Sequence, residues 1–167
     1  MIQRMALGIA LGVFFALDLS AQVLGTVDYI EGSAEITRNG EKIRTVDIGT
    51  PIENLDLVKT SPNSLLSIVF AKASGLTGSI QIAASSTALI RQDLVAGMPS
   101  NEAQLMAGSV NLKVKRLAGM KSAIQVKAPT AVLGVRGTEF VVASFNGSVI
   151  VACKEGEVAC SSYSSLT

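Results

Sequence analysis

Beyond Ala21 the chain is written in short alternating or apolar runs, each closed by turn residues after about ten positions. That rhythm restricts the fold more than any other feature. Val110, Leu112 and Val114 point one way while Asn111, Lys113 and Lys115 point the other, a period of two that no helix accommodates. The runs predict strands over Leu24–Glu31, Ala34–Arg38, Glu41–Thr45, Asp56–Thr60, Leu65–Phe70, Ser79–Ile82, Thr87–Arg91, Glu102–Met106, Ser109–Lys115, Ala123–Lys127, Thr138–Ser144 and Ser148–Cys153. A short last strand ends at Cys160. Asn39-Gly40 and Asn146-Gly147 predict two-residue hairpin turns, because both positions must take positive φ. Ala96–Ser100 reads as a loop, and Lys154–Glu157 as a turn. Thr138–Ser144 is apolar on both faces and is expected to be a central strand covered on both sides. The fold class is all-β: a single domain of many short strands, either β-solenoid-like, a jelly roll or a two-sheet sandwich.

The first 21 residues differ from the rest. Arg4 and the amino terminus give a positive start, and Met5–Leu17 is an unbroken apolar run of about 13 residues, too short to cross roughly 30 Å of hydrocarbon as a helix. Asp18 ends it, and Leu19-Ser20-Ala21 presents a small residue for cleavage. The segment reads as a secretory signal helix, cut after Ala21. The expectation is a signal peptide over 1–21, a β domain over 22–160 and a short polar tail over 161–167. The location is then the periplasm, the cell surface or the medium, and the only membrane association is through the signal segment where it stays uncleaved.

Composition removes whole classes of activity. Histidine is absent, so Ser-His-Asp and Cys-His machinery, histidine zinc ligation and histidine proton shuttles are all excluded. Basic and acidic residues nearly balance at 14 and 13, which argues against a nucleic-acid partner. No Ser-x-x-Lys motif or calcium-loop spacing occurs. No catalytic residue, cofactor or metal ligand is predicted, and the chain is expected not to be an enzyme.

Three constellations stand out. The first is Pro129, Gly134, Arg136, Gly137, Thr138, Glu139 and Phe140, where two glycines flank an arginine in apolar surroundings. Glycines there suggest close backbone approach or positive φ. The arginine needs a counter-charge, and Glu139 is the nearest candidate; such a pair would orient adjacent strands, whereas an unpaired arginine could hold an anionic ligand. The second is a basic stretch of Lys113, Lys115, Arg116, Lys121 and Lys127 without an intervening acid, either a lysine-protected sheet face or a contact for an anionic partner. The third is the pair Cys153 and Cys160, which an oxidising compartment could join if the intervening turn is wide enough.

The segment Ala128-Pro-Thr-Ala-Val-Leu-Gly-Val-Arg-Gly-Thr-Glu-Phe140 resembles the signature of FecR-type domains. So do Gly32-Ser-Ala-Glu-Ile, Gly49 with Asp56-Leu-Val-Lys-Thr60, Leu105-Met-Ala-Gly-Ser-Val110, and Val151 to Val158, in the family's order. The resemblance spans nearly all the chain after Ala21. It implies an extracytoplasmic β-rich domain with solenoid-like packing and no known catalysis. The best-understood members of the family relay signals from a TonB-dependent receptor to a sigma factor across the inner membrane. The sequence shows no anti-sigma segment and no receptor-contacting subdomain, so the expected role is a binding or scaffold module for an envelope protein or wall polymer. The alternative is a stand-alone sensor working with a separate signalling system.

Overall fold

The structure, a computed structural model, describes residues 22–43, 45–116 and 123–162, without the side chains of 116, 123, 136 and 137. The expected signal helix lies outside the described residues. Twelve strands follow one another: β1 (Val23–Glu31), β2 (Ala34–Arg38), β3 (Glu41–Ile43), β4 (Pro51–Glu53), β5 (Asp56–Thr60), β6 (Leu65–Phe70), β7 (Leu76–Ile82), β8 (Thr87–Val95), β9 (Met98–Arg116), β10 (Ala123–Ala128), β11 (Ala131–Phe145) and β12 (Ser148–Ser162). A single 3-10 turn at Lys72–Ser74 is the one helical piece among the described residues.

The pairing shows a sheet folded into two layers. The first half of β9 lies between β8 and a parallel β10, with Ser100–Gln104 opposite Ala123–Lys127. Its second half lies between β7 and β11, with Val110–Val114 opposite Ile82–Gly78 and Val142–Thr138. β11 divides the same way, pairing β10 through Ala131–Val135 and β9 through Thr138–Ser144. One layer therefore runs β3-β2-β5-β8-β9-β10-β11, and the other β4-β1-β6-β7-β9-β11. β12 accompanies β11 along both. Leu24, Phe70 and Ile80 from one layer and Ile90, Ala103 and Ile124 from the other line one small internal cavity, so the layers face each other across a shared core.

Crossing between layers reverses which parity of residue points inward. On β9, Ala103 and Leu105 are buried in the first layer, but Val110, Leu112 and Val114 in the second. Since side chains alternate strictly, the switch requires an extra residue. It sits at Met106, where the register against β8 slips between Thr87 and Ala88. Gly108 then bends the strand at φ +86°, and a Cβ there would stand 2.6 Å from the Ser86 Cα. β11 makes the same switch: Leu133 and Val135 point inward before it, Thr138, Phe140 and Val142 after it, with the slip between Arg136 and Glu139.

Four expectations are corrected. Ala96–Ser100 is not a loop: the turn is only Ala96-Gly97, at φ +51° and +75°, and β9 begins at Met98. Glu102–Met106 and Ser109–Lys115 are one strand, because a bulge and a glycine redirect pairing without ending it. Lys154–Glu157 is likewise inside β12, where Gly156 takes φ +86°. Finally, β11 is central by hydrogen bonding but not covered on both faces, as Val141 and Ala143 stay half-buried.

Gly108→Ala should cost about 2–4 kcal/mol, combining a left-handed backbone with overlap against Ser86. Gly40→Ala, equally left-handed at φ +83° but with nothing within 4 Å, should lose only about 1 kcal/mol. Urea denaturation of the two variants checks this; equal losses would mean that Ser86 does not wedge the bend.

Candidate functional site

The signature segment 128–140 forms a hairpin and then the layer crossing. Pro129 and Thr130 are the turn between β10 and β11, with Ala128 opposite Ala131. Pro129 thus sits in the hairpin turn from which β11 extends. Gly134 is exposed, outside the positive-φ set, and a Cβ there would approach nothing nearer than the Ala159 carbonyl at 4.0 Å. Close approach does not explain that glycine. Arg136 occupies the strand position opposite Glu157, but its side chain lies outside the described residues, so the expected Arg136–Glu139 pair does too. Thr138 and Phe140 are buried in the core, and the Thr138 hydroxyl has no hydrogen-bond partner.

Glu139 points outward from the second layer and receives Lys154 Nζ at 3.3 Å and Lys113 Nζ at 3.4 Å. The hydrogen bond from Lys154, reinforced by Lys113, holds its carboxyl below the ordinary value of 4.5, against the opposing pull of desolvation. The basic stretch is accordingly divided. Lys113 is on β9 beside Glu139, while Lys127 is on β10 and bonds Glu102 Nζ to Oε2 at 2.7 Å. Lys115 is exposed, Lys121 falls outside the described residues, and the Arg116 side chain does as well.

The cysteines do not form a bridge. Cys153 faces Phe140 and Cys160 faces Leu133 along a single strand, and both thiols are free and exposed. Seven positions at roughly 3.3 Å each separate them by far more than the ~7 Å Cα limit of a disulfide. The expectation of a hairpin between them was the error.

The strongest polar constellation escaped the sequence reading. Asp56 is fully buried and grips Arg38 with both oxygens, Nε to Oδ1 at 2.8 Å and Nη2 to Oδ2 at 2.7 Å. The same guanidinium reaches Glu53 Oε1 at 2.5 Å and the Pro51 carbonyl at 2.8 Å, and the Glu53 amide donates to Asp56 Oδ2. The hydrogen bond to Asp56 drives the arginine pKa upward despite desolvation. A signal for this clamp exists: Asp56, Val58 and Thr60 share one face of β5, so a face-mate of buried Val58 must be an acid that needs a cation. Nearby, the Thr60 hydroxyl donates to the Ala83 carbonyl and accepts from the Ser86 amide at 3.0 Å, and Ser86 Oγ accepts from the Ser109 amide at 2.9 Å. At the other end of the core Gln92 donates to Asn101 Oδ1 at 2.7 Å, and Asn101 donates to the Ser74 carbonyl at 2.9 Å. Among the described residues no three His, Cys, Asp or Glu side chains converge as metal ligands would.

The motifs thus mark the clamp at Asp56, the Thr60–Ser86 lock on the bend, and the crossing at 136–139. The family described as FecR protein matches residues 56–159, more than half of the chain. The chain belongs to the FecR family. No curated protein and no solved structure matches it. The matched FecR region opens on Asp56 itself, so the clamp ties that region to Arg38 in the hairpin before it.

Arg38→Ala should be the costlier clamp mutation, about 3–5 kcal/mol, because it strands a carboxylate with no solvent access. Asp56→Asn should lose about 1–3 kcal/mol, since Arg38 keeps Glu53 and partial hydration. Chemical denaturation orders the two, and the reverse order would contradict the clamp. Because the folded pKa of Glu139 is depressed, its stabilisation is present above the ordinary carboxylate value and disappears as pH falls through the folded one. The stability gap between the wild type and Glu139→Gln should therefore be seen at neutral pH and vanish in acid; a pH-independent gap would rule out the ion pairs as its cause.

Proposed function

We propose that this FecR-family chain is an exported, non-catalytic module that binds another protein in the bacterial envelope. The carrying observation is the outer strand β12. It runs for 15 residues, pairs among the described residues only with β11, and is exposed along most of its length. Alternate residues of such a strand turn their N–H and C=O groups to solvent, a template for an added strand. The export part of the reading rests on the leader-like residues 1–21 and places the module in the periplasm or at the cell surface. Buried polar side chains such as Asp56, Gln92 and Glu102 are each engaged within the fold, by Arg38, Asn101 and Lys127 respectively, which fits a framework role. A wall polymer is the less favoured partner, because two of the basic residues that would attract it, Lys113 and Lys127, are held by Glu139 and Glu102.

A second reading is regulatory: a stand-alone sensor coupled to a separate sigma and anti-sigma system. Membership of the FecR family, which is associated with such signalling, favours it. Both readings use a protein partner and differ in what binding achieves.

A photo-crosslinking residue at Ile150, on β12, should yield a discrete adduct in whole envelopes, while one at Leu55, exposed beside β4, should not. Adducts at neither position, or equally at both, would defeat the binding role of β12. The sensor reading further expects deletion of the gene to change expression of a defined set of transcripts; an unchanged transcriptome would leave only the structural binding role.

A further inference from the structure

The open edges of this fold are unequal. Among the described residues, β3 and β4 close their layers with three residues each, short enough to offer little template. β12 offers fifteen, with no proline and no inward charge. Its first part, Val149-Ile-Val-Ala-Cys153, is an uncharged apolar run. Val149 and Val151 pack against the core yet remain half-buried, and Ile150 on the other face is 66% exposed. A further strand alongside would finish burying residues from both faces at once.

The pattern of charge selects the occupant and its register. In a two-fold antiparallel pair of identical strands, residue i faces its counterpart reflected through one central position. Centring on Lys154 or Glu155 sets like charges face to face, which is unfavourable. Centring on Cys153 places Glu155 against half-buried Val151, and centring on Ala152 places Glu155 against Val149. Centring on Val151 pairs the apolar run wholly with itself: Val151 with Val151, Ile150 with Ala152, Val149 with Cys153. Lys154 then falls opposite Ser148, at the margin. Five apolar residues with their midpoint at Val151 make the segment self-complementary.

Resting on the reading of β12 as the binding edge, we infer that the partner strand it takes is β12 of a second copy of this chain, paired antiparallel and centred on Val151, to join the second layers of two molecules into one sheet. The two-fold relation closes the assembly, since each copy has one such edge and uses it once.

Ile150 and Ala152 are both exposed, so charged substitutions there should leave the fold intact. Sedimentation equilibrium of the purified protein should show a monomer–dimer equilibrium. Ile150→Lys should weaken it roughly tenfold, and so should Ala152→Glu. Mixing the two variants should restore dimerisation, because position 150 of one copy faces 152 of the other. A wild type that stays monomeric at millimolar concentration, or variants whose mixture fails to recover, overturns the inference. If the protein is monomeric while Ile150 still crosslinks to a different envelope protein, self-pairing fails and the binding role stands; loss of both fails both.

Discussion

Everything in this architecture depends on three neighbouring strands changing layers together. A strand that serves two layers must turn its inward residues from one parity to the other, and a single residue of slippage is the minimum that does so. β9 makes the change around Met106, β11 between Val135 and Thr138, and β12 between Val158 and Val151. The three slips need not lie at the same height, but each must occur, or Phe140, Leu112 and Val110 would face water. Burying side chains of that size is worth about 1.5–3 kcal/mol each, so an unmatched slip in one strand would cost more than the domain's marginal stability allows. Ser86 secures the pivot. Its backbone crowds Gly108, its hydroxyl accepts from the Ser109 amide, and its own amide is held by Thr60.

The same switch explains which parts of the fold were legible. Within each half-strand of β9 the alternation is regular, so Ala103 and Leu105, then Val110 to Val114, read cleanly, whereas β4 at Pro51–Glu53 and the first half of β11 from Ala131 carry no alternation that marks them. At the switch the alternation breaks, and a broken alternation flanked by glycine looks like a turn. Hence β9 read as two strands, and β12 as a strand, a turn and a short return. The error at β12 carried over to Cys153 and Cys160, which a turn would bring toward each other and a continuous strand keeps apart. Ala96-Gly97 was missed for another reason. Alanine rarely accepts the left-handed region, at a cost of about 1–2 kcal/mol, so only the pairing of Leu94 with Pro99 and Val95 with Met98 reveals the hairpin.

The polar interior was legible in principle but was sought in the wrong place. Flanking glycines single out Arg136 in the sequence, while Asp56 looks like an ordinary start to a strand. Period-two reasoning puts Asp56 on the same face as Val58, and a buried carboxylate without a cation would be untenable. Arg38, at the far end of β2, answers that demand with both arms of its fork. Of the signature glycines, Gly137 stands where β11 leaves one layer for the other.

The clamp and the crossing together account for the asymmetry of the edges. Arg38, Asp56 and Glu53 knit β2, β4 and β5 at one margin, where β3 and β4 are too short to recruit another chain. At the opposite margin β12 runs the full length of β11, and a shorter strand would leave part of β11 unpaired on that side. A long outer strand must be guarded or used. Its only charges, Lys154, Glu155 and Glu157, cluster at its bend, and Lys154 is already engaged by Glu139. The stretch from Val149 to Cys153 carries no guard at all, and an unguarded apolar edge on a domain that stays folded is most economically explained as one that another strand covers.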